Sequence, residues 1–250
     1  MSLPIVRKDS SHYDQRKNGV SPTFLIIHFT ESRDAGDPDG YFMATRQRPD
    51  GARVSAHYLI DVDGAITQYV DESARAWHAG LSEWGGVADI NTHSIGIELV
   101  NGGPTYGYTD FADDQIDALA ALSKQILGRH NIPAHHVLAH SDIAPGRKID
   151  PDYKFPWRTL ASAGVGVWPQ PIQADFNEAA ALLGDDARLK QALVRYGYNP
   201  ALDLPVLVRE FQRHFQPEAF TSTPPYAGRA NDETALRLAA LLRQKLAFTP

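Results

Sequence analysis

The sequence predicts an α/β fold: a mixed central β-sheet flanked by helices, followed by a small all-helical C-terminal domain. Short apolar runs of strand length recur through the first two-thirds of the chain, at Phe24–Phe29, Ala56–Ile60, Ile95–Val100 and Val137–His140. A long amphipathic stretch lies between the third and fourth of them, and strands interleaved with helices argue for a sheet with helical layers. Beyond residue 172 only helical periodicity remains.

Taken in order, residues 1–23 are polar and read as irregular. Phe24-Leu-Ile-Ile-His28-Phe29 is a strand, and Ala56–Ile60 a second. Asp61-Val-Asp63-Gly64 is a tight turn, so Ile66–Val70 returns as a hairpin partner. Ile95–Val100 is the next strand. Thr109 or Asp110 caps a helix in which Ile116, Leu119, Ala120, Leu122, Ser123 and Ile126 recur at helical spacing up to about Gly128. Val137–His140 is a last short strand feeding a Pro/Gly-punctuated loop, Ala139–Pro151. Phe155–Leu160 reads as a short helix with Pro156 near its start. Gly164–Pro171 is a Gly/Pro-rich break. The expected domains are therefore 1–165 and 173–250, joined by a linker at 166–172. Helices are expected in the second at Asn177–Leu183, Asp185–Tyr196, Leu204–Phe215 and Asp232–Leu246.

The 250 residues, 43% hydrophobic and 22% charged, have an ordinary soluble composition and suffice for a core without staples. A net charge of −6 argues against general nucleic-acid binding. The absence of cysteine excludes disulfides, thiolate zinc sites and a cysteine nucleophile. No apolar run approaches the ~18 residues of a membrane span. The N-terminus, Met1 to Asp9, lacks the apolar segment of an export signal, so the chain reads as cytoplasmic; a signal removed upstream would make it periplasmic.

Position selects among the ten histidines. His28 and His140 each end an apolar strand, where α/β sheets present ligand groups. With Asp150 on the adjoining loop they offer three protein ligands and an open fourth position, the pattern of catalytic zinc. The plainer reading of either histidine is a hydrogen bond at a sheet edge. Gly96, Glu98 and Val100 share one face of their strand, and Gly96 leaves room for a close approach. A carboxylate there suits the general base of a metal-activated water; alone, it reads as a solvated sheet-face group. Lys148 is placed to meet an oxyanion, or is a solvated loop charge, and Asp142 reads as a structural or capping carboxylate. Trp77–Gly80 and Trp84–Gly86 suit a sugar- or peptide-lined groove or, equally, core tryptophans. Arg33–Asp39 and Asn101–Gly107 are loops that rim a cleft or are simple turns.

These segments together carry a resemblance. Phe24–Thr30, Val54–Ile60, Ala76–Gly80, Asn91–Leu99 and Ala139–Pro151, in that order, resemble the zinc-dependent N-acetylmuramoyl-L-alanine amidases of the AmpD/AmiD type, which share a fold with peptidoglycan recognition proteins. The likeness covers residues 20–170 strongly. It continues more weakly through 193–198, 208–217 and 232–235, where it resembles a peptidoglycan-binding three-helix domain. It implies one zinc ion held by His28, His140 and Asp150, Glu98 as the catalytic carboxylate and Lys148 as the oxyanion-side cation. It implies Arg75, His78 and Asn91 as substrate-binding residues, and a peptidoglycan or muropeptide substrate. Two departures stand out: the last ligand is followed by Pro151-Asp152-Tyr153 where relatives commonly read Pro-Gly-Pro, and Val100 stands where relatives often carry a second glutamate. The first puts the cleft edge and substrate preference in question.

Two rival readings remain at this level. One is a non-catalytic muropeptide recognition module, against which the three retained ligands count, since such relatives usually lose one. The other is an iron oxygenase with two histidines and one carboxylate, against which the late, loop-borne carboxylate counts.

Overall fold

The computed structural model describes residues 3–247. In chain order the elements are β1 (Ile5–Arg7), β2 (Tyr13–Gln15), β3 (Phe24–Phe29), α1 (Gly36–Phe42), β4 (Tyr58–Ile60), β5 (Ile66–Gln68), β6 (Ala74–Ala76), β7 (Glu83–Trp84), β8 (Val87–Ala88), α2 (Ile90–His93) and β9 (Ser94–Leu99). There follow α3 (Gly103–Tyr106), α4 (Asp113–His130), β10 (Val137–Ala139), α5 (His140–Ile143), α6 (Trp157–Ser162), α7 (Asp175–Leu183), α8 (Asp186–Tyr196), α9 (Leu204–Phe215), α10 (Glu218–Thr221) and α11 (Asp232–Ala247). No helix among the described residues is long and apolar enough to cross a membrane.

The central sheet is mixed, in the order β1-β5-β4-β9-β3-β10. β10, β3, β9 and β4 run parallel, β5 turns back antiparallel to β4 as the hairpin reading requires, and β1 runs parallel to β5. β3 is buried along its whole length, which is why it reads as a continuous apolar run rather than an alternating one. Its two faces serve two cores. Leu25, Ile27 and Phe29, with Ile95, Ile97, Leu99, Val137 and Ala139, pack against α4 and α6. Phe24 and Ile26, with Leu138, Ile143, Trp84 and Ile90, pack against the C-terminal helices through Leu193, Tyr196, Tyr198, Leu207, Phe211 and Phe215. The Gly164–Pro171 break does separate a sheet-bearing part from a helical part, but α7–α9 and α11 share a continuous core with one face of the sheet. Gly197 marks the join: a Cβ there would sit 2.2 Å from the Trp84 ring, and its φ of +152 lies where glycine is favoured.

Several boundaries differ from the sequence reading. Residues 5–7 and 13–15 are strands, not irregular coil, and Arg16 behind them is buried and donates to the carbonyls of Glu72, Thr92 and Ser94. Three-residue strands are too short to show a period. α4 starts at Asp113 rather than at a Thr109/Asp110 cap, because Asn101 ties down the preceding loop by donating to the Thr109 carbonyl. Gln115 and Ser123 join its apolar stripe in the core. Gln115 is buried because its amide donates to Ile60 O at the end of β4 and to Val100 O just past β9. The last strand stops at Ala139, and His140 opens a one-turn helix.

Candidate metal centre and active site

β3 and β9 pair in register, so that His28 stands opposite Glu98 on the same face of the sheet near the carboxyl ends of both strands. β10 lies on the other side of β3 and delivers His140 just beyond its end. The loop that follows returns Asp150 to the same point, anchored where Ser141 N–H donates to Asp150 O at 3.1 Å. His28 Nδ1, His140 Nδ1 and Asp150 Oδ2 form a nearly equilateral triangle with sides of 2.9, 2.9 and 3.0 Å. All three residues are buried.

The hydrogen bonds behind this triangle fix its tautomers. His140 Nε2 faces the Ala79 carbonyl at 3.1 Å, which can only accept, so His140 carries its proton there. Ser94 Oγ–H donates to the Ile90 carbonyl at 2.7 Å, so its oxygen accepts from His78 Nε2–H at 3.2 Å. His78 Nδ1 is then an acceptor, and His28 Nε2–H donates to it at 3.0 Å. Both Nδ1 lone pairs therefore point at the carboxylate oxygen and at each other. Three lone-pair atoms so close together call for a cation or a shared proton at their centre. Burial, reinforced by the neighbouring His140, lowers the His28 pKa to about 4, so the ring is neutral and available as a ligand at pH 7. Burial also drives His78 well below its ordinary value. At Asp150 burial acts upward, but a proton shared with the facing histidines, His140 foremost, outweighs it and holds the carboxylate well below the usual range.

Glu98 stands beside this cluster with Oε2 buried and without a protein hydrogen-bond partner. Burial first, then the charge of Asp150, raises its pKa well above the ordinary carboxyl value, with Lys148 and Arg48 offsetting part of the rise. A cavity of about 340 Å³ opens onto these groups. Glu98, His140, Lys148, Asp150, His78 and Trp77 line it, together with Asp37 and Tyr41 of α1, Tyr106 of α3 and Arg48. A larger recess of about 760 Å³ lies beside β1 and β2 and holds none of the site residues.

Residues 18–153 match the N-acetylmuramoyl-L-alanine amidase family. The chain is 35% identical to N-acetylmuramoyl-L-alanine amidase AmiD of Escherichia coli over 96% of its own length and 91% of that protein's. It is 40% identical to the 1,6-anhydro-N-acetylmuramyl-L-alanine amidase AmpD of the same organism, over 60% of this chain and 87% of that one. The solved structure of AmiD from E. coli with anhydro-N-acetylmuramic acid-L-Ala-D-gamma-Glu-L-Lys superposes with a TM-score of 0.73 at 34% identity, covering 92% of this chain and 93% of that one. The chain belongs to the N-acetylmuramoyl-L-alanine amidase family.

In this amidase four of the five residues read as ligands, base and cation line one cleft and the fifth, His28, is buried against His140 and Asp150, whereas the three read as substrate contacts are engaged in the framework. Arg75 donates to Asp14, Asp89 and the Thr92 hydroxyl and does not line the cavity. Asn91 is buried, its Oδ1 accepting the backbone N–H groups of His78 and Ala79 at 3.0 and 2.7 Å. His78 touches the cavity, but both its ring nitrogens are taken, one by His28 and one by Ser94. The close approach anticipated at Gly96 is this ring, since a Cβ there would lie 2.5 Å from His78. Replacing Gly96 by Ala is expected to push His78 off His28, costing about 1–3 kcal/mol of stability and about 10- to 100-fold in metal affinity. Thermal unfolding and metal titration of the variant check both.

The two tryptophan segments part company. Trp77 is half-buried at the cavity and stacks on His12 with ring centroids 5.7 Å apart. Trp84 is core, packed edge-on against Tyr196 and Tyr198. Of the segments read as loops at 33–39 and 101–107, Asp37 and Pro38 of α1 and Tyr106 of α3 do line the cavity. The unusual continuation Asp152-Tyr153 is absent from it: Asp152 pairs with Arg213 of α9, and Tyr153 stacks on Phe220 at 5.1 Å. Sequence reading passed over Ser94 and Arg48, because a small strand residue and a loop arginine carry no distinguishing spacing.

Proposed function

We propose that this amidase is zinc-dependent. It hydrolyses the amide between the lactyl group of N-acetylmuramic acid, or of its 1,6-anhydro form, and the L-alanine of the stem peptide, in cell-wall turnover or muropeptide recycling. The observation that carries this reading is the triangle of two Nδ1 lone pairs and one carboxylate oxygen, with the orphaned Glu98 Oε2 beside it. Its sides of 2.9–3.0 Å are close to the edge of about 3.3 Å that zinc–nitrogen bonds of about 2.0–2.1 Å imply for a tetrahedron. Two imidazoles and one carboxylate with a fourth position open to the cavity form a catalytic rather than a structural donor set. The 1,6-anhydro form is favoured by the substrate in the AmiD complex and by the name of the AmpD relatives.

His28, His140 and Asp150 would hold the ion. When bound, zinc supplies Lewis acidity, lowering the pKa of water toward about 7 and polarising the scissile carbonyl. Glu98 takes the proton of the attacking water as its oxygen bonds to the carbonyl carbon. It returns that proton to the alanine nitrogen as the carbon–nitrogen bond breaks, leaving the lactyl carboxylate and a free stem peptide. The Lys148 ammonium faces the oxygen on which negative charge develops. His78 and the Ala79 carbonyl keep the protons of the two ligand histidines on Nε2, away from the ion.

Exhaustive chelation is expected to stop release of the stem peptide, and one equivalent of zinc to restore it. Unimpaired turnover by metal-free protein, or stoichiometric iron in the active protein, would overturn the assignment.

A further inference from the structure

Each of the two loop-borne ligands is followed, two residues later, by a buried aspartate: His140 by Asp142, and Asp150 by Asp152. Neither aspartate lines the cavity. Both point toward α9, where they meet neighbouring residues. Asp142 Oδ2 accepts from His214 Nδ1 at 2.7 Å and from the Ala139 N–H at 2.8 Å, while its Oδ1 accepts from the Tyr198 hydroxyl at 2.7 Å. Asp152 pairs with Arg213, whose Nε also donates to Glu210 at 2.6 Å. The His214 ring is fixed in turn by stacking on Trp157, with centroids 3.7 Å apart.

α9 is thus unusual for a helix expected to face a ligand. Its polar residues Glu210, Gln212, Arg213 and His214 are buried along with its apolar ones. Burying an arginine and two carboxylates carries a desolvation penalty for each ion before their mutual attraction is counted. A cap that only covered the sheet would do as well with apolar groups. What the charged groups add is geometry, since each contact has one direction and one length. These contacts act on the backbone two residues beyond His140 and Asp150, and a residue that holds a metal must be kept to within about 0.5 Å.

We propose that α9 braces the metal-ligand loop, with Arg213 and His214 acting as positioning residues that set Asp150 and His140 through Asp152 and Asp142. The proposal rests on zinc binding at His28, His140 and Asp150. It gives the C-terminal helices a part in the hydrolytic site itself.

The test uses the full chain and measures zinc affinity by chelator competition on folded, metal-free protein, with circular dichroism as the check on folding. His214→Leu and Arg213→Met are expected to weaken zinc binding by about 10- to 100-fold, as outer-shell losses do. His214→Asn, which keeps a donor near the Nδ1 position, is expected to restore most of the loss. Arg243→Met breaks the Arg243–Asp175 pair, which lies outside the loop; it is expected to lower thermal stability without moving zinc affinity. If a single variant does not fold, the matched pair Asp152→Asn with Arg213→Gln is read in the same way. Folded variants that bind zinc as tightly as the parent chain overturn the brace. Failure of the parent chain itself to bind zinc would instead overturn the zinc reading.

Discussion

Replacing Glu98 by Gln is expected to lower kcat for stem-peptide release by about 10²–10⁴-fold while zinc content stays at one ion per chain. The amide matches the carboxylate in size but cannot accept the proton of the attacking water. Near-normal turnover in this variant would remove Glu98 from its role. The same substitution is expected to stabilise the metal-free protein. Burial and Asp150 raise the Glu98 pKa in the folded chain above the ordinary 4.5, so the folded state binds the extra proton more readily than the unfolded one. Stability is then undiminished below about pH 4.5 and falls as pH rises through the folded-state pKa. Glu98→Gln should therefore unfold at a higher temperature than the parent chain at pH 7–8 and show little difference at pH 4. A gain in stability on deleting a catalytic charge is what a site organised for chemistry rather than for folding predicts.

Replacing Asp150 by Asn is expected to abolish activity by a different route. Asp150 Oδ2 lies 2.9 and 3.0 Å from the two ligand nitrogens and is the anionic member of the set. The amide offers only a neutral oxygen. Zinc affinity should fall by more than the about 10- to 100-fold that outer-shell changes cost, and turnover should fall with it. Metal analysis after dialysis checks the first, and assay in excess zinc checks the second: added zinc should recover part of the Asp150→Asn activity and none of the Glu98→Gln activity. A variant that keeps stoichiometric zinc through dialysis would sink the ligand assignment. The contrast separates a residue that holds the ion from one that moves a proton.

The residues with chemistry of their own were legible in the chain. His28 and His140 could be singled out from ten histidines because they end apolar runs, and strand ends are where a parallel sheet exposes side chains to a cleft. Alternation alone put Glu98 on the opposite face of its strand from Ile95, Ile97 and Leu99; that this face is also that of His28 was decided by the register of β3 with β9. Arg75, His78 and Asn91 were drawn from segments shared with relatives, and a segment does not say which way a side chain turns. The structure turns Arg75 to Asp14 and Asp89, Asn91 to the His78 and Ala79 amides, and His78 to the back of His28.

The C-terminal helices show the same limit more sharply. The spacing of Leu207, Val208, Phe211 and Phe215 marks an apolar face without saying what covers it. Nothing in the order of residues foretells that Arg213 and His214 will meet Asp152 and Asp142 across 61 and 72 positions of chain. Local periodicity and residue chemistry depend on near neighbours, so the sequence by itself determined the fold class, the longer elements and the three residues proposed here to hold a metal. Which polar groups turn inward behind those residues depends on contacts between distant segments, so only the tertiary structure decided that His78 backs His28 and that Asp142 and Asp152 meet α9.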